Sequence, residues 1–500
     1  MGSKHTSVEE PKINTPSKND PNSMLDKMIE DGEAKAKAQD LESPQSGNFN
    51  VVDWNGLDDP ENPKNWSPIR KWTALFVVSA FAFISPMSSS MVAPALEQIG
   101  NSLHTQKTIE SQFFLSIFLL AYAVGPSVLG PLSETYGRVR VLQIANLLYL
   151  VFNLACGFST TAAQMLVFRF FSGLGGSAPL AIGGGVIGDL FQAHERGYAV
   201  PPLGGFITEY TSWRWIFWAT TIADAVIQIG GMFLLQETYA PTLLARRCRA
   251  LRRSTGNPEL ELSGNGSKQS KAATHLQAGV RPFRMLLTQP IIQFLAFYMA
   301  YVYGLMYLVL STFPNLWSEI YHESISVGSL NYIGLGLGFF LGSQVAPRLN
   351  DKIYVHLQSR NQGVGKPEYR LLPILFGSLA VPLGLFIYGW AGEKKTMWLV
   401  PDVGIFVFAL GTIICFQCAQ TYLLDTYTRY AASAFAAVNV LRSLAGCGFP
   451  LFGPSMYVAL GYGWGCSLLA FVSIVVGMPA TWVLWQYGQH LRLRSQYAAG

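Results

Sequence analysis

Three charged side chains lie inside long apolar stretches of the sequence, where their type suggests ion or proton chemistry. They are Arg169, Asp224 and Arg442. A charge at the centre of a bilayer costs at least about 2.5–3.5 kcal/mol on insertion scales, so each of them needs a reason to be there. Asp224 is a candidate for binding and releasing a proton, with a hydrogen-bonded structural acid as the alternative. Arg442 is expected either to pair with Asp425 or to line a cavity.

Uncharged polar residues lie at the end of another apolar stretch. Gln417, Gln420 and Tyr422 could form hydrogen bonds with a substrate in a cavity. Contacts between neighbouring helices are the commoner use of such residues in membranes, and this alternative stays open.

The segment GPLSETYGRVR combines an acid, two arginines and a helix-breaking glycine in a short stretch. The residues concerned are Gly130, Glu134, Gly137, Arg138 and Arg140. Taken alone, the segment is typical of a basic turn that faces the cytoplasm.

Other sequence patterns resemble enzyme motifs, but their positions in the chain argue against catalysis. Cys415 and Cys418 form a CxxC pair inside an apolar run, which predicts inert buried thiols. GLGLGFFLG (334–342) echoes a nucleotide loop, but no strand precedes it and its glycine spacing predicts helix packing. All seven histidines are isolated in tails or loops. We therefore predict no metal centre, no cofactor and no enzymatic activity.

The composition indicates a membrane environment for these residues. Half of the 500 residues are hydrophobic and 13% are charged, whereas a typical soluble protein has about 25% charged residues. Residues 1–50 are polar with little aromatic or β-branched content, which predicts a disordered tail. After residue 71, basic residues outnumber acidic ones by nine, and this positive charge is clustered in a few loops, which argues against a nucleic-acid partner.

Eleven apolar runs are long enough to cross a hydrocarbon core of about 30 Å as helices. They cover residues 72–93, 111–132, 141–160, 165–188, 213–235, 290–312, 327–347, 371–391, 398–420, 433–459 and 463–486. The positive-inside rule puts the basic loops in the cytoplasm, including the long loop at 237–289, and this requires an even number of crossings before that loop. A sixth crossing must therefore be hidden at 197–208, although such a short helix rises only about 18 Å.

The sequence thus predicts an all-α polytopic membrane protein with twelve crossings, the fifth of them shortened. Residues 1–71 form a cytoplasmic tail with a juxtamembrane segment, and 72–236 form an N-terminal helical half. Residues 237–289 form a central cytoplasmic loop, 290–487 a C-terminal helical half, and 488–500 a cytoplasmic tail.

Several motifs carry a resemblance to a known family. GPLSETYGRVR resembles the signature loop between helices 2 and 3 of the major facilitator superfamily, with Glu134 where Asp is more usual. The run RFFSG (169–173) looks like the helix 4 motif of proton-coupled antiporters in that superfamily. The fungal twelve-span drug:proton antiporter branch has segments similar to ENPKNWS (61–67), WRWIFW (213–218), ETYAPTLL (237–244) and PEYRL (367–371). The resemblance covers about residues 58–490.

The resemblance implies the major facilitator fold, in which two six-helix halves enclose a midplane cavity and alternate its access. It also implies proton-driven efflux of small amphiphilic molecules. Arg169 and Asp224 are then the candidates for proton coupling, and a structural arginine that reaches the membrane surface is the alternative for Arg169. Gln417, Gln420, Tyr422 and Arg442 are the candidates for the substrate cavity. The expected partners are a small-molecule substrate, protons and the lipid bilayer of the plasma membrane, with the protein a monomer.

The fifth helix departs from the family pattern. Its Gly-Pro-rich motif is represented only by a final part that includes Pro202, Gly204 and Gly205, and about sixteen residues that family members have before it are absent. This departure motivates the alternative function, a membrane protein without transport activity that is a sensor or a defective paralogue.

Overall fold

The computed structural model describes residues 51–56, 58–105, 108–190, 213–258, 260–262, 271–427 and 430–498. The predicted tail at 1–50 and the predicted short crossing at 197–208 lie outside the described residues.

Helices follow one another from residue 68 onward. The chain begins with a two-residue strand β1 (Val51–Val52) and a short 3-10 helix (Pro63–Asn65). The first group of helices is α1 (Pro68–Ser90), α2 (Leu96–Ser102), α3 (Thr108–Tyr136), α4 (Arg138–Gly157), α5 (Ala162–Gly176), α6 (Ala178–Leu190) and α7 (Arg214–Leu234).

The second group of helices follows a basic connection. The elements are α8 (Ala240–Thr255), β2 (Glu261–Leu262), α9 (Lys271–Thr288), α10 (Pro290–Asn315), a π-helical turn (Leu316–Ile320), α11 (Ile325–Leu330), α12 (Tyr332–Arg360), a 3-10 helix (Pro367–Leu371), α13 (Leu372–Glu393), α14 (Leu399–Thr426) and α15 (Ala431–Leu493).

Local sequence explains several helix starts. Thr161 precedes α5, and its hydroxyl accepts a hydrogen bond from the backbone N of Gln164 at 3.3 Å, as an N-cap residue does. Pro68 and Pro290 are the first residues of α1 and α10. Proline is favoured there because a backbone N–H in the first turn has no acceptor within the helix, so a residue without an N–H loses no hydrogen bond.

Nine helical spans in the described part of the chain are long and apolar enough to cross a membrane. The eleven predicted runs all fall on helices, and two differences explain the lower number. The runs at 433–459 and 463–486 share α15, in which Gly461 has a φ of 72° and marks a kink between two helical parts. The run at 327–347 falls mostly on α12, whose glycines, Ser343 and Gln344 dilute its hydropathy.

The first group packs around α5. This helix contacts both α3 and α4, while α7 packs against α4 and α1. Polar side chains join these helices: Asn153 in α4 donates to the hydroxyls of Thr220 and Thr221 in α7, both at 2.9 Å. Ser88 in α1 donates to the same asparagine at 3.1 Å. The polar residues in these spans thus serve as interhelical contacts.

The second group is held together by close backbone contacts. α14 packs between α12 and α13, and α15 packs against α10 and α13. At Gly384 of α13 and Gly404 of α14, a Cβ atom would overlap the main chain of the opposite helix. Gly338 of α12 is equally close to α14, at Phe406 and Ala409. The helix packing predicted for residues 334–342 is therefore observed.

The two groups meet where α3 packs against α15. At this interface the amide of Asn439 donates to the backbone carbonyl of Tyr122 at 2.8 Å. A Cβ atom at Gly446 would lie 2.9 Å from the Tyr303 ring of α10 and 3.4 Å from Leu119 of α3. Side chains thus contribute to this contact from both groups of helices.

A small separate unit includes β1 and the region around β2. Val51 pairs with Glu261 and Val52 with Leu262 in a parallel arrangement. Cys248 and Arg252 both donate to the carbonyl of Leu260, the Arg252 Nε at 2.9 Å.

Candidate functional site

The turn between α3 and α4 is built around Gly137. Its φ of 100° and ψ of 149° belong to a region that is essentially restricted to glycine. A Cβ atom at this position would overlap the carboxylate of Glu237. That carboxylate accepts hydrogen bonds from the backbone N of Arg138 at 2.9 Å and of Tyr239 at 3.1 Å. Glu237 therefore caps the positive N-terminal end of α4 from a distant part of the chain.

The Arg138 side chain is buried and connects several elements. Its NH1 donates to Ser133 Oγ at 2.8 Å, and its Nε lies 3.4 Å from Asp189 Oδ2 at the end of α6. The guanidinium lies 4.7 Å from the centre of the Tyr239 ring. Glu134 is farther away at 3.7 Å and is partly exposed, so this pair contributes little. Arg138 thus joins α3, α4 and α6 at one end of the bundle.

Burial raises the pKa of the Asp189 carboxyl to about 6, although Arg138 lowers it. Asp189 follows the apolar span that ends at Gly183. Its charge therefore changes within a pH range that cells reach.

The other two members of the predicted motif face outward. Arg140 is exposed, and a Cβ atom at Gly130 would have no heavy atom within 4 Å. Arg140 borders an apolar lateral groove of about 770 Å³, whose further lining residues are Leu129, Leu132, Tyr136, Val141, Ile144, Ala145, Leu147, Leu148, Val151, Leu174 and Gly175.

A similar charge cluster surrounds Arg370 in the second group of helices. Arg370 pairs with Asp425 at 3.1 Å and with Asp351 at 2.5 Å, and its guanidinium lies 4.3 Å from the Tyr354 ring centre. Like Arg138, it precedes a spanning helix and binds an acid at the end of the next one. The repeated arrangement is typical of a fold built from two related halves.

The predicted alternative in which Arg442 pairs with Asp425 is wrong, because Asp425 binds Arg370. Arg442 instead donates from NH2 to Asn439 Oδ1, one helical turn earlier in α15. Its guanidinium lies 4.7 Å from the Tyr303 ring centre and 5.9 Å from that of Phe416.

Arg169 is fully buried in the middle of α5. Its Nε donates to the carbonyl of Phe114 at 3.0 Å, and its guanidinium lies 4.5 Å from the Phe118 ring centre and 5.7 Å from that of Phe217. NH1 and NH2 have no hydrogen-bond partner among the described residues. Because the side chain has no exposed surface, the alternative of an arginine that reaches the membrane surface is wrong.

Asp224 is fully buried in α7. Asn146 of α4 donates to both of its carboxylate oxygens, at 3.1 and 3.0 Å, and also to Gln228 at 3.0 Å. Within the described residues no ion pair joins Asp224 to Arg169 or to any other cation. Among the described residues, the donor that binds this buried carboxyl group is thus the neutral amide of Asn146.

The remaining predicted residues are dispersed. Gln417 and Gln420 are half-buried in α14. Tyr422 is fully buried, and its hydroxyl lies 3.2 Å from the position that a Cβ on Gly488 would take; the contacts of Arg442 among the described residues are with Asn439, Tyr303 and Phe416 instead. Pro202, Gly204 and Gly205 lie outside the described residues. Cys415 and Cys418 are free and buried, as predicted.

Sequence reasoning missed several partners of these residues. Asp189, Asn146 and Asn439 were not singled out, although polar residues within apolar runs are a usable indication. Glu237 was part of a recognised segment, but its contact with Gly137 could not be foreseen. In the part of the chain that the structure describes, no group of three or more His, Cys, Asp or Glu residues could hold a metal ion.

Comparisons with known proteins agree with this architecture. A family model described as Major Facilitator Superfamily matches residues 78–450. The chain is 49% identical over 465 residues to the efflux pump vrtL of Penicillium aethiopicum, and the alignment covers 90% of this chain and 92% of that protein. It is 39% identical over 481 residues to the MFS-type transporter atr4 of Stereocaulon alpinum, in an alignment that covers 93% of this chain and 86% of that protein.

A solved structure has the same fold. The xylose transporter XylE from E. coli, in a partially occluded inward open conformation, matches with a TM-score of 0.59 at 14% identity. The match covers 84% of this chain and 98% of that chain.

Proposed function

Since this chain belongs to the Major Facilitator Superfamily, we propose that it exports small amphiphilic molecules in exchange for protons. The family and its spanning helices make it a multi-pass membrane transporter. Export is supported by the similarity to a relative described as an efflux pump, over nine-tenths of both chains. The plasma membrane is the proposed location, and a monomer the proposed state.

The observation that supports proton exchange is the burial of Arg169 and Asp224, neither of which forms an ion pair with another of the described residues. Removing a charged group from water without a counterion costs several kcal/mol. Asp224 is therefore suited to bind a proton while its surroundings are dry and to release it when water enters. Arg169 supplies a fixed positive charge in the same group of helices.

Alternating access requires contacts that break and form again. The clusters around Arg138 and Arg370 are candidates for these contacts, because each links the ends of several spanning helices. In the proposed topology both clusters face the cytoplasm, since the positive-inside rule puts their loops there. Their ion pairs would stabilise the arrangement in which the cytoplasmic side is closed.

Substitutions in a version with a family-length fifth helix test proton coupling. Arg169→Ala and Asp224→Asn are each expected to lower efflux at least about tenfold, with near-normal surface expression, because many packing contacts hold the bundle. The measurement is accumulation of a panel of fluorescent amphiphiles in transporter-deficient cells, with and without a protonophore. Arg360→Gln, at an exposed position at the end of α12, is the matched control. Protonophore-sensitive efflux at the wild-type rate in both test variants would refute the proposed coupling.

The second candidate function, a membrane protein without transport, is favoured by the shortened fifth crossing. Twelve residues at 197–208 rise only about 18 Å as a helix, and two prolines within them, Pro201 and Pro202, remove backbone donors. Comparing the chain as written with a version that carries a longer segment distinguishes the two functions. Efflux by neither form would favour the non-transporting protein.

A further inference from the structure

A positive charge lies at the interface between the two groups of helices. Arg442 is only 8% exposed, and it hydrogen-bonds Asn439, which in turn donates to the carbonyl of Tyr122 in α3 at 2.8 Å. The guanidinium is therefore one side chain away from the opposite group of helices. A ligand bound to it would contact both groups.

No acidic side chain neutralises this charge in the described part of the chain. Arg442 forms no ion pair there. The acidic side chains that are buried are bound elsewhere: Asp59 to backbone N–H groups of its own loop, Asp224 to Asn146, Glu237 to the start of α4, and Glu368 to Arg492.

The present contacts satisfy the guanidinium only in part. The Tyr303 ring offers a π face, and Tyr303 also makes an edge contact with Phe416 at 5.7 Å. The Nε atom has no hydrogen-bond partner among the described residues. A buried cation with an unused donor costs free energy, and an anion supplied from outside would remove that cost. The planar fork of an arginine fits a carboxylate with two parallel hydrogen bonds.

The surroundings of the guanidinium favour an aromatic ligand. Tyr303 and Tyr307 lie with their ring centres 4.9 Å apart, and Phe416 closes the same cluster. Aromatic rings stack on such faces in offset or edge-on geometry. A molecule that carries a ring next to an acidic group could use the cation and the rings together.

We propose that Arg442 binds the acidic group of the transported molecule, and that the substrates are aromatic carboxylates or phenolates. This inference rests on the proposed export of small amphiphiles and specifies their chemistry. The site is then expected to bind weakly acidic aromatic compounds more tightly than their neutral esters, which have a similar shape but lack the charge.

The test compares 1-pyrenebutyrate with its methyl ester as probes. Binding to the purified full-length chain in detergent at pH 8 is followed by energy transfer from tryptophan to pyrene. The wild type is expected to bind the acid at least about tenfold more tightly than the ester. Arg442→Gln should abolish this preference and leave ester affinity within about twofold, and Arg442→Lys should weaken acid binding several-fold because lysine lacks the fork. Arg360→Gln, the same chemical change at an exposed site, should behave as the wild type does.

An equal affinity of the wild type for acid and ester, including no measurable binding of either, overturns the proposal. So does an unchanged preference in Arg442→Gln. If that variant is not monodisperse on size exclusion, Arg442→Lys decides: weakened acid binding with normal ester binding supports the site, and unchanged acid binding overturns it. Probe binding to the purified protein in detergent needs no proton gradient, so a failure of proton-linked efflux would leave the binding result intact. Likewise, a failure of acid-selective binding would not exclude proton-linked efflux.

Discussion

Replacing Gly137 by alanine tests the structure of the turn between α3 and α4. The backbone at this position has a φ of 100° and a ψ of 149°, and a non-glycine residue there costs about 1–3 kcal/mol. The new Cβ would also displace the Glu237 carboxylate, which accepts two backbone hydrogen bonds. Hydrogen bonds to a charged group contribute about 1.5 kcal/mol or more each. We therefore expect Gly137→Ala to destabilise the fold by about 4–6 kcal/mol if both hydrogen bonds are lost.

Gly130→Ala is the matched control in the same segment. A Cβ at Gly130 meets no heavy atom within 4 Å, and alanine is favoured over glycine inside a helix by about 1 kcal/mol. This variant should be as stable as the wild type or slightly more stable. The two glycines thus have opposite expected effects although the same methyl group is added.

The assay is thermal unfolding of the purified variants in one detergent, followed by tryptophan fluorescence at a fixed scan rate. A fixed rate is needed because membrane proteins of this size unfold irreversibly on heating. Gly137→Ala should lower the apparent melting temperature by at least about 5 °C, and Gly130→Ala should not lower it. Equal melting temperatures for the two variants would refute the reasoning from backbone geometry.

Three further predictions concern topology, pH dependence and the fifth crossing. Asn265→Cys should resist membrane-impermeant thiol reagents in intact cells, because the central loop is expected in the cytoplasm; labelling from outside would contradict the topology. Burial raises the pKa of Asp189 to about 6, so the carboxyl group binds its proton more tightly in the native state than in the unfolded chain. The stability that the protonated carboxyl group contributes is therefore complete below about pH 4 and is lost as the pH rises through about 6. The melting temperature of the wild type relative to Asp189→Asn should therefore fall between pH 4 and 7, and a constant difference would exclude this role for the carboxyl. Inserting about sixteen apolar, Gly-rich residues between Gly197 and Val200 should raise both membrane yield and efflux, since the crossing then reaches the length that a bilayer requires; equal efflux at matched membrane levels would show that the short segment suffices.

Hydropathy alone predicted the spanning helices, because a backbone in lipid must satisfy its own hydrogen bonds. All eleven apolar runs fall on helices, and the glycine spacing at 334–342 correctly indicated a packing face. The two runs at 433–459 and 463–486 were predicted as separate spans, and α15 is indeed interrupted between them, because Gly461 has a non-helical φ of 72° and ψ of 172°. The kink in α15 depends on Gly461, where a Cβ would lie 2.8 Å from Glu393 Oε2, and that acid belongs to another helix.

The partners of the charged residues were harder to predict. Position along a span does not tell which side of a helix faces its neighbours, so Arg169 could be expected at the membrane surface when it is fully buried. The sequence suggested Arg442 as a partner of Asp425, whereas in the structure Asp425 forms its ion pair with Arg370 at 3.1 Å. Contacts such as Asn146 with Asp224 join residues 78 positions apart, and only the arrangement of helices brings them together.

The backbone contacts at Gly338, Gly384 and Gly404 have a mechanical consequence. Side chains yield to stress by changing rotamer, whereas two main chains in contact have no such freedom. The helices α12, α13 and α14 should therefore transmit a displacement as one stiff block. Movement between the two groups is then expected at contacts made through side chains, such as that of Asn439 in α15 with Tyr122 in α3, where a change of rotamer can accommodate it.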